Sequence, residues 1–402
     1  MKQKSRILFA LLSLIGISLA CANPLTEPVP ASPANVETIV AATFQALTQS
    51  APPDSTPGLL PASMYYLGND GAGLSQVYRL DRDGVTVTQL TFEPVNVSEY
   101  DVSLVDGSLV YVSNNQLLTV NAEGSSRAVI FEGGAVDENN PFLTRLISPV
   151  WSPDGQTIAF GHRGLSFYSI LSGQSNRVLE DQTNDIGDGL VIPQELYWPE
   201  MYSADGGKLI VTLGYYEGAS TAIYYLNGGA LVRLNGGEGS IICCGDYTMS
   251  GDASTLFAAS PFMGMFSAGL WRVDTGTGNV TTLFRGDFDT NPADLADNPL
   301  LAPDGQLYYF YASVPTTDDF INRPPLQLVR SAADGVTSRT VLRPETFESM
   351  NEALWAPDAS FVIVANAQND QIHQGGAAQL YYTDGRPMLP LVTYAYSMKW
   401  GP

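Results

Sequence analysis

The residues with most capacity for chemistry in this chain are carboxylates. Glu99, Asp101, Glu200, Asp246, Asp297 and Glu352 stand at comparable places in successive segments, each just before an apolar strand pattern. If those segments close around an axis, the side chains gather at one narrow opening and attract a cation or a basic group on a partner. The plainer reading is that they solvate loops in a chain with 41 Asp and Glu. Asp287-x-Asp289-x-Asn291 has the oxygen-ligand spacing of a calcium loop, although Pro292 stands where a hand-type loop needs Gly. Calcium is therefore the one cofactor the sequence suggests. Cys243 and Cys244 are adjacent. In an oxidising compartment such a pair either closes a strained vicinal disulfide or stays as two small buried thiols.

Residue counts exclude other chemistry. His162 and His373 are the only histidines, so a three-His metal site cannot be built within the chain. Neither is flanked by a nucleophile motif, and no Gly-x-Ser-x-Gly elbow exists. Lys and Arg number 19, giving a formal net charge of −22. Nucleic acid is thereby excluded as a partner for a general basic surface. Of the 402 residues 45% are hydrophobic, too many for wholesale disorder and enough for a large core. The 38 Gly, 26 Pro and 20 Tyr favour an all-β chain.

The elements that must position these groups form a repeat. Trp151-Ser152-Pro153-Asp154-Gly155 precedes the apolar run at 158–160. The same grammar returns around Asp205, Asp252, Asp304 and Asp358, with a degenerate copy at Asp106. The period is near 50 residues, as in a propeller. Pro and Gly at these corners turn a first strand into a second. The second strands are apolar on both faces, as expected when each sheet is sandwiched between neighbours. Third strands follow, for example at 77–80, 165–170 and 379–382, and then fourth strands such as 129–131 and 389–392.

The first unit opens directly on a second-strand pattern at Met64, and the chain stops on a first-strand pattern at 398–402. The expected fold is thus an all-β, seven-bladed β-propeller of four-stranded antiparallel blades, closed by the C-terminal strand joining the first blade. The alternative is six blades and an odd hairpin. The domain limits read as a signal peptide at 1–20, a Pro-rich tether with a short helix at 21–61, and the propeller at 62–402.

The Trp-Ser-Pro-Asp-Gly motif, the apolar strand after it and the Tyr-rich third strand resemble the WD-like propeller repeats of TolB-type periplasmic proteins. The resemblance covers roughly 62–402 and implies a fold rather than a function. TolB carries an additional N-terminal globular domain, for which 22–61 is too short. Related propeller lyases use a His-rich metal site, and propeller peptidases append a hydrolase domain; neither has a counterpart here.

Lys2, Lys4 and Arg6 precede an uncharged apolar run at 7–20, too short for a comfortable span and fitting a signal peptide. Ser18-Leu19-Ala20-Cys21 resembles the bacterial lipobox, which makes Cys21 the lipidation site; Ser18 departs from the preferred Leu. The expected location is the outer side of a bacterial membrane, held by the lipid anchor. Secretion with cleavage nearby and an uncleaved anchor are the alternatives.

The expected function is non-enzymatic binding or scaffolding. The long loops at 133–147, 181–197, 286–298 and 312–325 would engage a protein or small ligand beside the acidic mouth. Tyr215, Tyr216, Phe262, Phe266, Tyr311 and Phe320 in or near those loops would contribute contacts or cap the blades. The alternative is a hydrolase or lyase acting on an extracellular polymer with a carboxylate-based metal site.

Overall fold

Each Asp-bearing corner closes on its own side chains. Ser152 Oγ donates to Asp154 Oδ1 at 2.6 Å, Gln156 N donates to the same oxygen at 3.0 Å, and Thr157 N donates to Ser152 Oγ at 2.9 Å. Ser203 with Asp205 and Ser250 with Asp252 repeat the Ser–Asp contact at 2.6 Å. Gly155 holds φ +68°, which a Cβ would oppose. The corner is therefore a locally encoded turn, and it recurs wherever the sequence repeats it.

The computed structural model describes residues 58–187, 189–235, 242, 247–261, 267–287, 289–315 and 324–402. The signal segment, Cys21, most of the tether, Cys243, Cys244 and Asp246 lie outside the described residues, as do Phe262, Phe266 and Phe320. Gly58–Pro402 form one compact unit.

Strands follow one another as antiparallel meanders. The first is β1 (Met64–Asn69), β2 (Ser75–Leu80) and β3 (Val87–Gln89). The second is β4 (Val97–Val102), β5 (Leu109–Ser113), β6 (Gln116–Val120) and β7 (Ala128–Glu132). A single turn of helix, α1 (Pro141–Thr144), precedes β8 (Ile147–Trp151), β9 (Thr157–Gly161), β10 (Gly164–Ser169) and β11 (Gln174–Glu180). The next sheet has five strands: β12 (Gln182–Asp185), β13 (Val191–Tyr202), β14 (Lys208–Tyr215), β15 (Gly218–Tyr225) and β16 (Leu231–Arg233). Then come β17 (Tyr247–Met249), β18 (Thr255–Ser260), β19 (Ala268–Asp274) and β20 (Val280–Gly286). They are followed by β21 (Ala293–Leu301), β22 (Leu307–Val314), β23 (Leu326–Ser331) and β24 (Thr340–Phe347). The last are β25 (Met350–Trp355), β26 (Phe361–Asn366), β27 (Gly376–Tyr382) and β28 (Leu389–Trp400). Four of the sheets are four-stranded, and the whole is a β-propeller.

β28 serves two sheets. Its start pairs with β27 (Leu380 opposite Leu389), and its end pairs with β1 (Met64 opposite Trp400, Tyr65 opposite Lys399). One continuous strand thus fills the places the sequence divides between a fourth strand and a separate C-terminal strand. It joins β25–β27 and β1–β3 into a seven-stranded sheet.

The core lies between sheets. Every residue of β5 is buried, as expected for a strand covered on both faces. Phe131 and Phe160 meet across sheets at 5.0 Å between centroids, and Phe310 meets Trp355 at 5.9 Å. Trp355 Nε1 donates to Asn298 O at 2.8 Å and Trp400 Nε1 to Trp355 O at 2.7 Å. Trp355 thereby ties β25 to β21 of the preceding sheet, and Trp400 ties the end of β28 to β25.

Candidate functional site

The strands nearest the axis share an irregularity. β4, β8, β13, β21 and β25 each slip register against their partner strand at a bulge, and so does β28 against β1. Ser148, Asn298 and Ser397 hold φ of +50°, +45° and +52° at these bulges. A bulge turns backbone groups away from their own ladder. At the bulges of β8 and β28 an acid of an adjacent axial strand takes up an N–H so released.

Glu99 Oε2 accepts the N–H of Ser148, and Glu352 Oε1 accepts the N–H of Met398. Asp101 Oδ2 accepts Trp151 N at 2.6 Å, and Asp101 Oδ1 pairs with Lys399 Nζ at 2.8 Å. Glu200 Oε1 accepts Thr212 Oγ1 at 2.7 Å. The acids lie within the strands, not ahead of them as expected, because the bulges extend pairing past the point where the apolar pattern begins.

Glu99, Glu200 and Glu352 line one axial cavity of about 360 Å³ together with Tyr100, Ser148, Pro149, Val150, Pro199, Ser397, Met398 and Lys399. Asp101 lies alongside it through Lys399. Asp297 is elsewhere: it is buried and lines a separate small recess with Phe347, Glu348 and Met350. What differs is the place of the bulge: it precedes Glu99 and Glu352, between Val97 and Glu99 and between Met350 and Glu352, but follows Asp297, between Asp297 and Leu300. Glu200 stands two before Tyr202, and the bulge between Pro199 and Met201 re-aims it into the cavity.

The electrostatics follow from enclosure. Burial pushes the Glu99 carboxyl above its ordinary value, opposed by the Ser148 N–H and by Lys399 and Arg145. Burial raises Glu200 to about 7; Thr212 and Lys399 oppose the shift, and the Glu99 charge adds to it. Among the described lining residues Lys399 is the only Lys or Arg. Glu200 is thereby placed to exchange a proton near neutral pH.

Sequence reasoning missed Lys399, Thr212 and Ser148. Lys399 was detectable in principle, because it and Asp101 each sit one residue before the last residue of a first-strand pattern. Adjacent sheets bring equal registers together.

The calcium-spaced residues form a turn. Asp287 Oδ1 accepts Asp289 N at 2.9 Å, and Asp287 Oδ2 pairs with Arg285 at 3.2 Å. Asn291 precedes a cis proline. Among the described residues no group of three or more His, Cys, Asp or Glu has metal-holding geometry. His162 is buried, with Nε2 at 3.2 Å from Gly133 O and its ring edge-on to Phe131, and burial lowers its pKa. His373 is exposed. Neither lines the cavity. Tyr311 is committed to Asp294 at 2.7 Å and to the Arg339 guanidinium 3.8 Å over its ring, whereas Tyr216 is 64% exposed.

No protein-family model and no curated protein sequence matches the chain. Solved structures are similar in fold. A puromycin-hydrolysing peptidase of Mycobacterium tuberculosis has TM-score 0.53 and 14% identity, over 84% of this chain and 53% of that one. An oligogalacturonate lyase in complex with manganese has TM-score 0.52 and 11% identity, over 84% of this chain and 86% of the lyase. TolB from Acinetobacter baumannii has TM-score 0.42 and 14% identity, over 92% and 88%. This chain spans about half the length of the peptidase. At such identities the likeness is one of fold.

Proposed function

We propose that this chain is a seven-bladed propeller, exported and anchored through Cys21 to the outer side of a bacterial membrane. It binds a partner through its long-loop face without performing catalysis. The seven-stranded sheet divides at β28 into two four-stranded blades, which with the remaining five sheets supports seven blades and a closed ring. The axial cavity carries the functional reading. It holds three glutamates against one lysine, so a protonated amine or guanidinium presented by a partner fits it. The loop at 133–147 and the β12–β13 hairpin brace each other beside it, since Asn140 Nδ2 donates to Gly189 O at 3.0 Å and Asn140 Oδ1 accepts Val191 N at 3.1 Å. These two braced segments favour binding because little ordering remains to be done in them.

The test is capture from envelope extracts of the source bacterium with wild-type protein and Glu200→Gln. A partner retained by wild type at low salt, lost at high salt and lost in the variant is the expected result. Equal capture by both proteins overturns the acidic-cavity reading. Stoichiometric divalent metal held by the native protein would favour the polymer-cleaving alternative instead. Mass spectrometry of the mature N-terminus tests the anchor: a diacylated Cys21 is expected, and an unmodified start downstream of it refutes anchoring.

A further inference from the structure

We infer that the end of β28, from Tyr396 to Trp400, is a releasable strap controlled by Lys399, so that ring closure and the filling of the axial cavity are one coupled equilibrium. The inference rests on the closed-ring reading above.

Every other described pairing between an axial strand and its neighbour joins strands connected by a short corner, so chain connectivity keeps them close. The pairing of β28 with β1 has no such corner. It consists of Met64 with Trp400, Tyr65 with Lys399 and Leu67 with Tyr396, interrupted by a bulge, plus Gly401 N to Ser63 O at 2.9 Å. Side chains from both flanks reinforce it. Tyr100 OH donates to Ser397 O at 2.6 Å, and Tyr396 OH lies 2.6 Å from Ser75 Oγ. Glu352 takes the Met398 N–H, and Asp101 holds Lys399.

Ser397, Met398 and Lys399 are at once strap and cavity wall. The Lys399 ammonium is therefore a built-in occupant of a site shaped for a cation. It acts electrostatically on Glu99 and Glu200, shares the cavity lining with Glu352 and is paired with Asp101. Its side chain keeps 33% exposure, so solvent and solutes reach the pair. A cationic group entering the cavity competes with Lys399 for those carboxylates. As the ammonium is displaced the strap loses its ion pair with β4 and keeps only the Tyr100–Ser397 bond there, and the seam to β1 loosens. Conversely, a firmly seated strap keeps the cavity charge compensated and excludes weak cations.

Hydrogen exchange read by mass spectrometry on the full mature chain tests this. The peptides to follow cover 394–402 and 60–69 at the seam and 255–260 as a distant control. Lys399→Met and Asp101→Asn are each expected to speed exchange at the seam at least tenfold, with the control unchanged and Lys399→Arg near wild type. Spermidine at millimolar concentration is expected to speed seam exchange in wild type and to add nothing in Asp101→Asn. If the variants do not fold, wild type with spermidine decides alone. A seam indifferent to variants and spermidine, or a rise shared equally by all peptides, overturns the strap. A seam unprotected in untreated wild type instead overturns the closed ring itself, so the two failures are distinguishable.

Discussion

Replacing Glu200 by Gln should stabilise the protein, and only at high pH. In the folded chain Glu200 titrates near 7 against an ordinary 4.5. A folded-state pKa raised above the unfolded one disfavours the charged form in the fold. Stability from this group is therefore fully present below about pH 4.5 and is lost as pH climbs through 7. Each pKa unit corresponds to about 1.36 kcal/mol, so the full loss is at most roughly 3 kcal/mol above pH 8. Gln carries no charge, fills nearly the same volume and keeps an oxygen for Thr212 Oγ1. At about 2.1 cal/mol/K per residue, unfolding residues 58–402 carries an entropy near 0.7 kcal/mol/K. The variant should then melt roughly 4 °C higher than wild type at pH 8.5 and at the same temperature near pH 4.5. Thermal unfolding followed by circular dichroism at half-unit pH intervals gives the difference curve. Its slope should be confined to the window between 4.5 and 7. A difference independent of pH, or a variant less stable at pH 8.5, would refute the account of Glu200 as a carboxyl that burial and Glu99 keep partly protonated.

Other outcomes follow from the packing. Gly164→Ala places a Cβ 2.0 Å from Leu179 O at φ +130°, so it should cost at least ~3 kcal/mol in urea unfolding. Gly305→Ala, with open space around it and φ +77°, should cost nearer ~1 kcal/mol. Trp355→Phe removes the Nε1–H bond to Asn298 O and should lower stability by roughly 1–2 kcal/mol, visible as a lower urea midpoint at unchanged slope. Burial alone would raise the Glu195 carboxyl, but Arg233 and Tyr197 hold it below its ordinary value. Its contribution is present above the usual Glu pKa and lost on acidification, so Glu195→Gln should destabilise by about 1 kcal/mol at pH 7 and progressively less below pH 4.

The corners were legible because they are local: at 152–155 and 203–206 the Ser, Asp and Gly within one turn supply the partners it needs, and elsewhere the Asp still accepts the N–H two residues on. The apolar second strands were legible because burial on both faces leaves no alternation to misread. The acids were legible as a recurrence but not as an arrangement. Whether Glu99 braces Ser148 or faces open solvent depends on a bulge in another sheet, and nothing near position 99 encodes that bulge. That the bulge follows Asp297 but precedes Glu99 and Glu352 was not visible in the numbering, because a bulge is defined only against the strand partner. Gly164, Gly269 and Gly376 open third strands where a Cβ would strike a backbone carbonyl. In sequence they read as ordinary turn glycines, since the obstructing carbonyls belong to neighbouring strands. The five-stranded sheet was missed because β12 is exposed along its whole length and carries no apolar signal.

The sharing of β28 bears on how the chain must be made. Tyr396 meets Ser75 across 321 residues of sequence. At roughly 5–20 residues per second, β1 waits many seconds between its own synthesis and that of the strand that covers it. Through that interval β1 offers an unpaired edge to any extended chain nearby. Contacts of such long range also form slowly once the whole chain is present. If the chain crosses a membrane before folding, the delay is an advantage, because β1 and β28 cannot pair until both have crossed.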